Sequence, residues 1–198
     1  DKSCAELTAA RKKGADRLSE LIDIELRELC MSAARFSVEL LPVKPSKTGC
    51  DDAEFFVSLN VGEPPKPLVK VASGGEASRI MLAFKGIMAT RQEVGTLIFD
   101  EIDTGISGRM ATVVAQKMAK IARERQVICV SHLPQIAAMA DDNFLIEKSV
   151  DDRGSKTELK KLDARLKSEE VARLTGGDAT QTALAHAGEL IAQCDEFK

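Results

Sequence analysis

The chain has 198 residues and a mass of 21.4 kDa, enough for one domain or two small ones whose core needs no metal or disulfide. Its 28 Lys and Arg against 31 Asp and Glu give a net charge of −3, which argues against nucleic-acid binding through overall basicity. Seven Phe with no Tyr and no Trp make poor material for a base-stacking platform, and no apolar run reaches the roughly 20 residues of a membrane span. The five Cys are scattered, no C-x-x-C occurs and only two His are present, so reduced cysteines in a cytoplasmic protein are expected rather than a zinc site or a disulfide framework. The first residue is Asp rather than Met, from which a fragment or processed chain is expected.

The elements follow in order. From about Ala5 to Phe36 the pattern predicts one long helix, with Leu18, Ile22, Leu26, Leu29 and Ala33 on a single stripe. Seven basic and seven acidic residues interleave over positions 1–35. They suit either a surface helix or the end of a coiled-coil arm entering a domain. Residues 36–41 and 54–60 predict strands, joined by a polar loop through Pro42, Pro45 and Gly49. From Lys70 the pattern turns α/β. A helix opens at Ser73-Gly74-Gly75, and a short apolar strand runs over 96–100. A helix over 107–125 follows with Ser107 as N-cap, then a second buried strand over 126–132. A short helix from Pro134, a hairpin around Asp151-Asp152-Arg153-Gly154-Ser155, a helix beginning at Ser168 and a last helix complete the chain. Two buried parallel strands separated by a helix imply a βαβ unit.

Three short segments carry chemistry. Thr96–Asp100 is an apolar strand that runs into Asp100 and Glu101, which places two carboxylates at the carboxyl edge of a sheet, where α/β proteins bind ligands. One can support Mg²⁺ and the next can orient an attacking water. The plainer reading is a solvated acidic turn. Ser73, Gly74 and Gly75 stand where a loop becomes a helix, offering free N–H groups and a positive dipole to an anion. The plainer reading is a capping box of Ser73 and Glu76, which accounts for neither glycine. His132 follows the second strand, at the edge that Asp100 and Glu101 reach, and can meet a phosphate or water there; a lone histidine is otherwise structural. His186, on the last helix, has no partner motif and reads as structural.

In this order and spacing the three segments resemble the C-terminal half of an ABC-type ATPase head. The resemblance implies an α/β fold, a mixed or parallel sheet with flanking helices, reached by the end of a coiled-coil arm. It implies that Ser73, Gly74, Gly75 and Glu76 form the signature loop, which binds the γ-phosphate of ATP held by another head. Asp100 would support Mg²⁺ as the Walker B aspartate, and Glu101 would polarise water. Asp103, Thr104, Gly105, Ile106 and Ser107 would form the D-loop, and His132 would be the switch histidine.

KVASGGEASRIMLAFK, TLIFDEIDTGISGRMA and VICVSHLPQIAAMAD further resemble the RecN family of bacterial SMC-like DNA double-strand-break repair ATPases, over essentially the whole chain. Two positions depart from the common pattern: Ala77 stands where Leu usually follows the signature, and Ser107 where the D-loop usually ends in Asp. No Gly is followed by Lys anywhere, so the phosphate-binding loop G-x-x-x-x-G-K-[ST] is missing. In this family that loop lies in an N-terminal half beyond the arm.

The chain is therefore expected to be a C-terminal head segment cut within the arm, with residues 1–35 as arm helix and 36–198 as head. Its partners would be the N-terminal Walker A half, a second copy head to head, and DNA through the whole assembly, with no membrane. Its place would be the cytoplasm, at the nucleoid. Alone it should be inactive. The competing readings are the nucleotide-binding half of a membrane transporter, against which DEID in place of a DEP-type sequence argues, and a structural module without enzymatic activity.

Overall fold

The computed structural model describes residues 2–71, 74–88, 94–100, 102–151, 154–176 and 180–198. The chain divides into two compact units, residues 1–94 and 95–198.

In the first unit, helix α1 (Lys2–Glu28) packs on strand β1 (Arg35–Ser46) and on helix α2 (Gly74–Met88). The predicted stripe holds where it matters, since Ile22, Leu26 and Leu29 are fully buried. The helix ends earlier than its periodicity suggests. Cys30 adopts φ 60°, and the N–H of Met31 donates to Leu26 O while that of Cys30 donates to Arg27 O. This is a Schellman closure with Cys in the position that usually takes Gly. The Phe36 N–H then donates to Asp23 Oδ1 at 2.8 Å, turning the chain back along the helix. Phe36, Phe55 and Phe84 cluster with ring centroids 5.1–5.6 Å apart.

Two expectations are corrected here. The segment through Pro42 and Pro45 is strand rather than loop: β1 continues to Ser46 and pairs antiparallel with β2 (Gly49–Ser58). The sheet order is β1-β2-β3, with the two-residue β3 (Lys66–Pro67), so β1 is an edge. There the N–H that proline lacks is not needed by a neighbour, and the register shift between Pro42 and Ser46 absorbs the remaining misfit. The cysteines are not all reduced, because Cys4 and Cys50 form a disulfide with Cα atoms 5.9 Å apart. The start of α1 lies over the hairpin end, where Thr8 Oγ1 donates to the Asp51 carboxylate and Arg11 Nη2 donates to Thr48 O at 2.7 Å. Gly49, at φ 106°, lets the two surfaces meet; a Cβ there would stand 2.7 Å from Leu7 Cδ2.

The second unit contains the expected βαβ. Strand β4 (Thr96–Phe99) pairs in parallel with β5 (Gln126–Cys129), joined through α3 (Gly108–Ala122). The period of Ala111, Val114, Ala115, Met118 and Ile121 buries one face of α3. Ser107 occupies the N-cap position, but its side chain makes no capping hydrogen bond. Helix α4 (Pro134–Met139) carries Pro at its start, and β6 (Phe144–Asp151) with β7 (Gly154–Lys161) forms the expected hairpin. Helix α5 (Ala164–Gly176) begins before the expected Ser168, because Asp163 Oδ1 accepts from the Leu166 N–H at 2.8 Å and caps it there. Helix α6 (Gln181–Phe197) is capped by Thr180.

One expectation about the parallel strands fails. They read as buried on both faces, yet only Leu97 and Phe99 are buried, while Ile98 is 71% and Ile128 45% exposed. Those two are register partners, and Val130 beside them is also exposed. Phe144, Ile146 and Leu159 of the hairpin are exposed as well. Parallel sheets are normally covered on both sides, and the described residues cover one.

Candidate functional site

The βαβ register sets the geometry of the second unit. Phe99 pairs with Cys129, and the Val130 N–H donates to Phe99 O at 3.0 Å, so both strands end side by side. Asp100 leaves the first strand exposed, and no described residue hydrogen-bonds or pairs with it. Glu101 lies outside the described residues. Residues 102–105 form a tight turn that buries Ile102 fully and Ile106 to 7% exposure, while Thr104, Gly105 and Ser107 are exposed. Gly105 has φ 73°, which a side chain would strain.

Asp103 is the pivot of this edge. Only 4% exposed, its Oδ2 accepts from Ser131 Oγ at 2.6 Å and from the His132 N–H at 2.8 Å, and lies 3.0 Å from His132 Nδ1. Ser131 Oγ in turn accepts from the Leu133 N–H at 3.0 Å. Asp103, expected in the D-loop, and His132, expected at the sheet edge that Asp100 and Glu101 reach, are thus in direct contact. The acidic edge also acts on Cys129. Burial first, then the charges of Asp103 and Asp100, push its thiol up to about 12. Burial likewise pushes the Cys194 thiol up. A higher thiol pKa means less thiolate at a given pH, so neither is poised as a nucleophile. Alkylation at mildly alkaline pH should therefore mark exposed Cys30 first and leave Cys129 and Cys194 slowest. Peptide mass mapping over time would show this order, and Cys129 labelling as fast as Cys30 would contradict it.

The residues expected to form the signature loop belong to the first unit. Ser73 is outside the described residues. Gly74 is exposed as the first residue of α2, Gly75 is buried and Glu76 stands in the first turn. A Cβ on Gly74 would meet nothing within 4 Å, and its φ is not positive. Among the described residues, neither packing nor backbone conformation asks for glycine at that position. One turn further, Arg79 is 8% exposed with Nε and Nη1 unpartnered, and desolvation lowers its pKa. The sequence reading passed over Arg79 because a basic residue in a mixed-charge helix looks like surface.

A Mg²⁺ ion fits the exposed carboxylate at the second unit's edge. Mg²⁺ is held by one or two carboxylates together with waters and substrate phosphates. Asp100 offers an exposed, uncommitted carboxylate of that kind. Among the described residues no three His, Cys, Asp or Glu gather as a metal cage.

No protein-family model matches the chain. It is 46% identical over 193 residues to DNA repair protein RecN of Halalkalibacterium halodurans, covering 94% of this chain and 34% of that protein. To DNA repair protein RecN of Bacillus subtilis it is 40% identical over 211 residues, covering 98% of this chain and 37% of that protein. The chain thus spans about a third of the length of the curated relatives it matches. Among solved structures it is similar to the Smc head domain with a coiled coil and joint from Pyrococcus yayanosii, with TM-score 0.58 and 20% identity, covering 84% of this chain and 30% of that one. The Smc head domain from Pyrococcus furiosus, solved with an extended coiled coil and bound to the C-terminal domain of ScpA, gives TM-score 0.54 at 22% identity, covering 80% and 37%. Its sequence relatives are RecN proteins, and its α/β fold is similar to that of Smc head domains.

Proposed function

We propose that this chain is the C-terminal head segment of a RecN-type DNA repair ATPase, with residues 1–35 as the root of its coiled-coil arm and 36–198 as its share of the head. It supplies signature, Walker B, D-loop and switch histidine to a nucleotide site that another segment completes. Ser73, Gly74, Gly75 and Glu76 meet the γ-phosphate of ATP bound by a second copy. Asp103 to Ser107 line the contact between copies, Asp100 supports Mg²⁺, Glu101 orients the attacking water and His132 contacts the phosphate or that water. When bound, Mg²⁺ offsets the negative charge that develops on the phosphates. DNA acts on the whole assembly, in the cytoplasm at the nucleoid. Among the described residues no helix is long and apolar enough to cross a membrane, and none of these contacts needs one.

One observation carries the reading: an exposed metal-competent carboxylate and a histidine stand at one sheet edge, beside an apolar sheet face that this chain leaves bare. Ile98, Ile128 and Val130 are the surface on which an N-terminal Walker A half would pack. The experiment is reconstitution. The chain alone should show no ATP turnover above buffer. Mixed or co-expressed with the N-terminal half of a RecN relative, it should bind that half and gain Mg²⁺-dependent turnover. Turnover by the chain alone that survives Glu101→Gln would show that the segment reading is wrong.

A further inference from the structure

The contact between Asp103 and His132 does more than fasten a loop. A neutral imidazole carries its proton on one nitrogen only, and the tautomer is set by the partner of the other. Here the nitrogen facing protein is Nδ1, 3.0 Å from Asp103 Oδ2. That carboxylate is 4% exposed, whereas the His132 side chain is 75% exposed. An ionised carboxylate is an acceptor only, so the proton belongs on Nδ1, and Nε2 faces away from that contact with a lone pair. The same oxygen accepts from the His132 N–H, which fixes the backbone from which the ring projects. Ser131 Oγ, donating at 2.6 Å, holds the carboxylate in place.

We infer that Asp103 is a positioning residue that holds His132 in its Nδ1–H tautomer and turns Nε2 outward as the nitrogen that meets substrate. The substrate half of this statement rests on the proposed nucleotide site; the tautomer does not. A neutral His132 then accepts a hydrogen bond through Nε2, which suits an attacking water better than a phosphate oxygen. It donates to phosphate only once protonated. Asp103 thereby decides which of the two jobs assigned to His132 the neutral ring performs. The arrangement follows the general rule that a carboxylate behind an imidazole sets its tautomer and orientation.

The test needs no nucleotide. Only His132 and His186 are present, so ¹⁵N spectra of the labelled chain at alkaline pH, where imidazoles are neutral, contain two ring systems. His186→Gln assigns them. His132 should show the Nδ1–H pattern, in excess over Nε2–H on the order of tenfold, the bias expected where a carboxylate oxygen that only accepts stands 3.0 Å from Nδ1. Asp103→Ala should abolish that excess, and Ser131→Ala should keep it, although both disturb the same loop. Should Asp103→Ala unfold, Asp103→Asn takes its place: the amide oxygen accepts more weakly, and the excess should fall severalfold. An Nε2–H pattern in the parent, or an unchanged pattern in the folded Asp103 variant, overturns the inference while leaving the nucleotide site untouched. Failure of reconstituted turnover would leave the tautomer result standing.

Discussion

With the N-terminal half restored, Glu101→Gln is expected to abolish ATP turnover yet leave an ATP-bound head dimer, while Asp100→Asn loses both. The two residues are adjacent in sequence, and the experiment separates them by charge alone. Gln keeps nearly the volume of Glu but cannot take a proton from water, so hydrolysis should fall by about 10²–10⁴-fold. Nucleotide and Mg²⁺ binding do not need that proton transfer. Blocked hydrolysis leaves the phosphate in place, and the signature helix of the other copy stays closed on it. Asp100→Asn removes the charge from the exposed carboxylate to which the proposal gives the metal, so Mg²⁺-dependent ATP binding itself should weaken, on the order of tenfold or more. Phosphate release and light scattering after size exclusion, with and without ATP–Mg²⁺, read both effects. If Glu101→Gln stays monomeric where the parent dimerises, the role given to Glu101 is wrong. Parental turnover in that variant removes the Walker B assignment with it.

The βαβ unit was legible because its signals are local. Thr96–Phe99 and Gln126–Cys129 are short apolar runs, and the helix between them carries a clean apolar period. Their placement puts Asp100 and His132 at one edge from the sequence alone. The contact between Asp103 and His132 was not legible, since it depends on the register that sets Phe99 opposite Cys129 and on a turn that points Asp103 inward. Proline misled the reading of β1: its cost depends on whether a neighbour needs the missing N–H, and edge position is a property of the whole sheet. The pairing of Cys4 with Cys50, 46 residues apart, comes from α1 lying on the hairpin end, which composition does not encode. Ile98 and Ile128 were read as buried because their residue types suit a covered sheet. On the proposed function that reading describes the complete head, and the bare face is the part of the fold this chain does not supply.

The last expected result sets folding against function at Gly74. An acidic residue in the first turn of a helix is stabilising, by about 0.3–1 kcal/mol, because it faces unpaired N–H groups and the positive end of the dipole. A Cβ at Gly74 meets nothing within 4 Å, and replacing Gly at a helical position reduces the entropy of the unfolded chain. Gly74→Asp should therefore leave the thermal midpoint of this chain unchanged or slightly raised. For the proposed site the same change is the worst available. It puts a carboxylate where the γ-phosphate of the other copy must approach bare N–H groups, so the dipole that stabilises the aspartate is no longer open to the phosphate. ATP-driven pairing of the reconstituted head should be lost, while ATP binding to the reconstituted head at concentrations where it stays monomeric keeps the parental level. Gly74→Ala adds bulk without charge and should fall between, keeping the midpoint and weakening pairing severalfold. Calorimetry on the chain and light scattering on the reconstituted head give the two readouts separately. Were Gly74→Asp to pair as the parent does, the signature role would fall. Were it to lose midpoint and pairing together, Gly74 would be a structural glycine and the capping-box reading of Ser73 and Glu76 would be the better one.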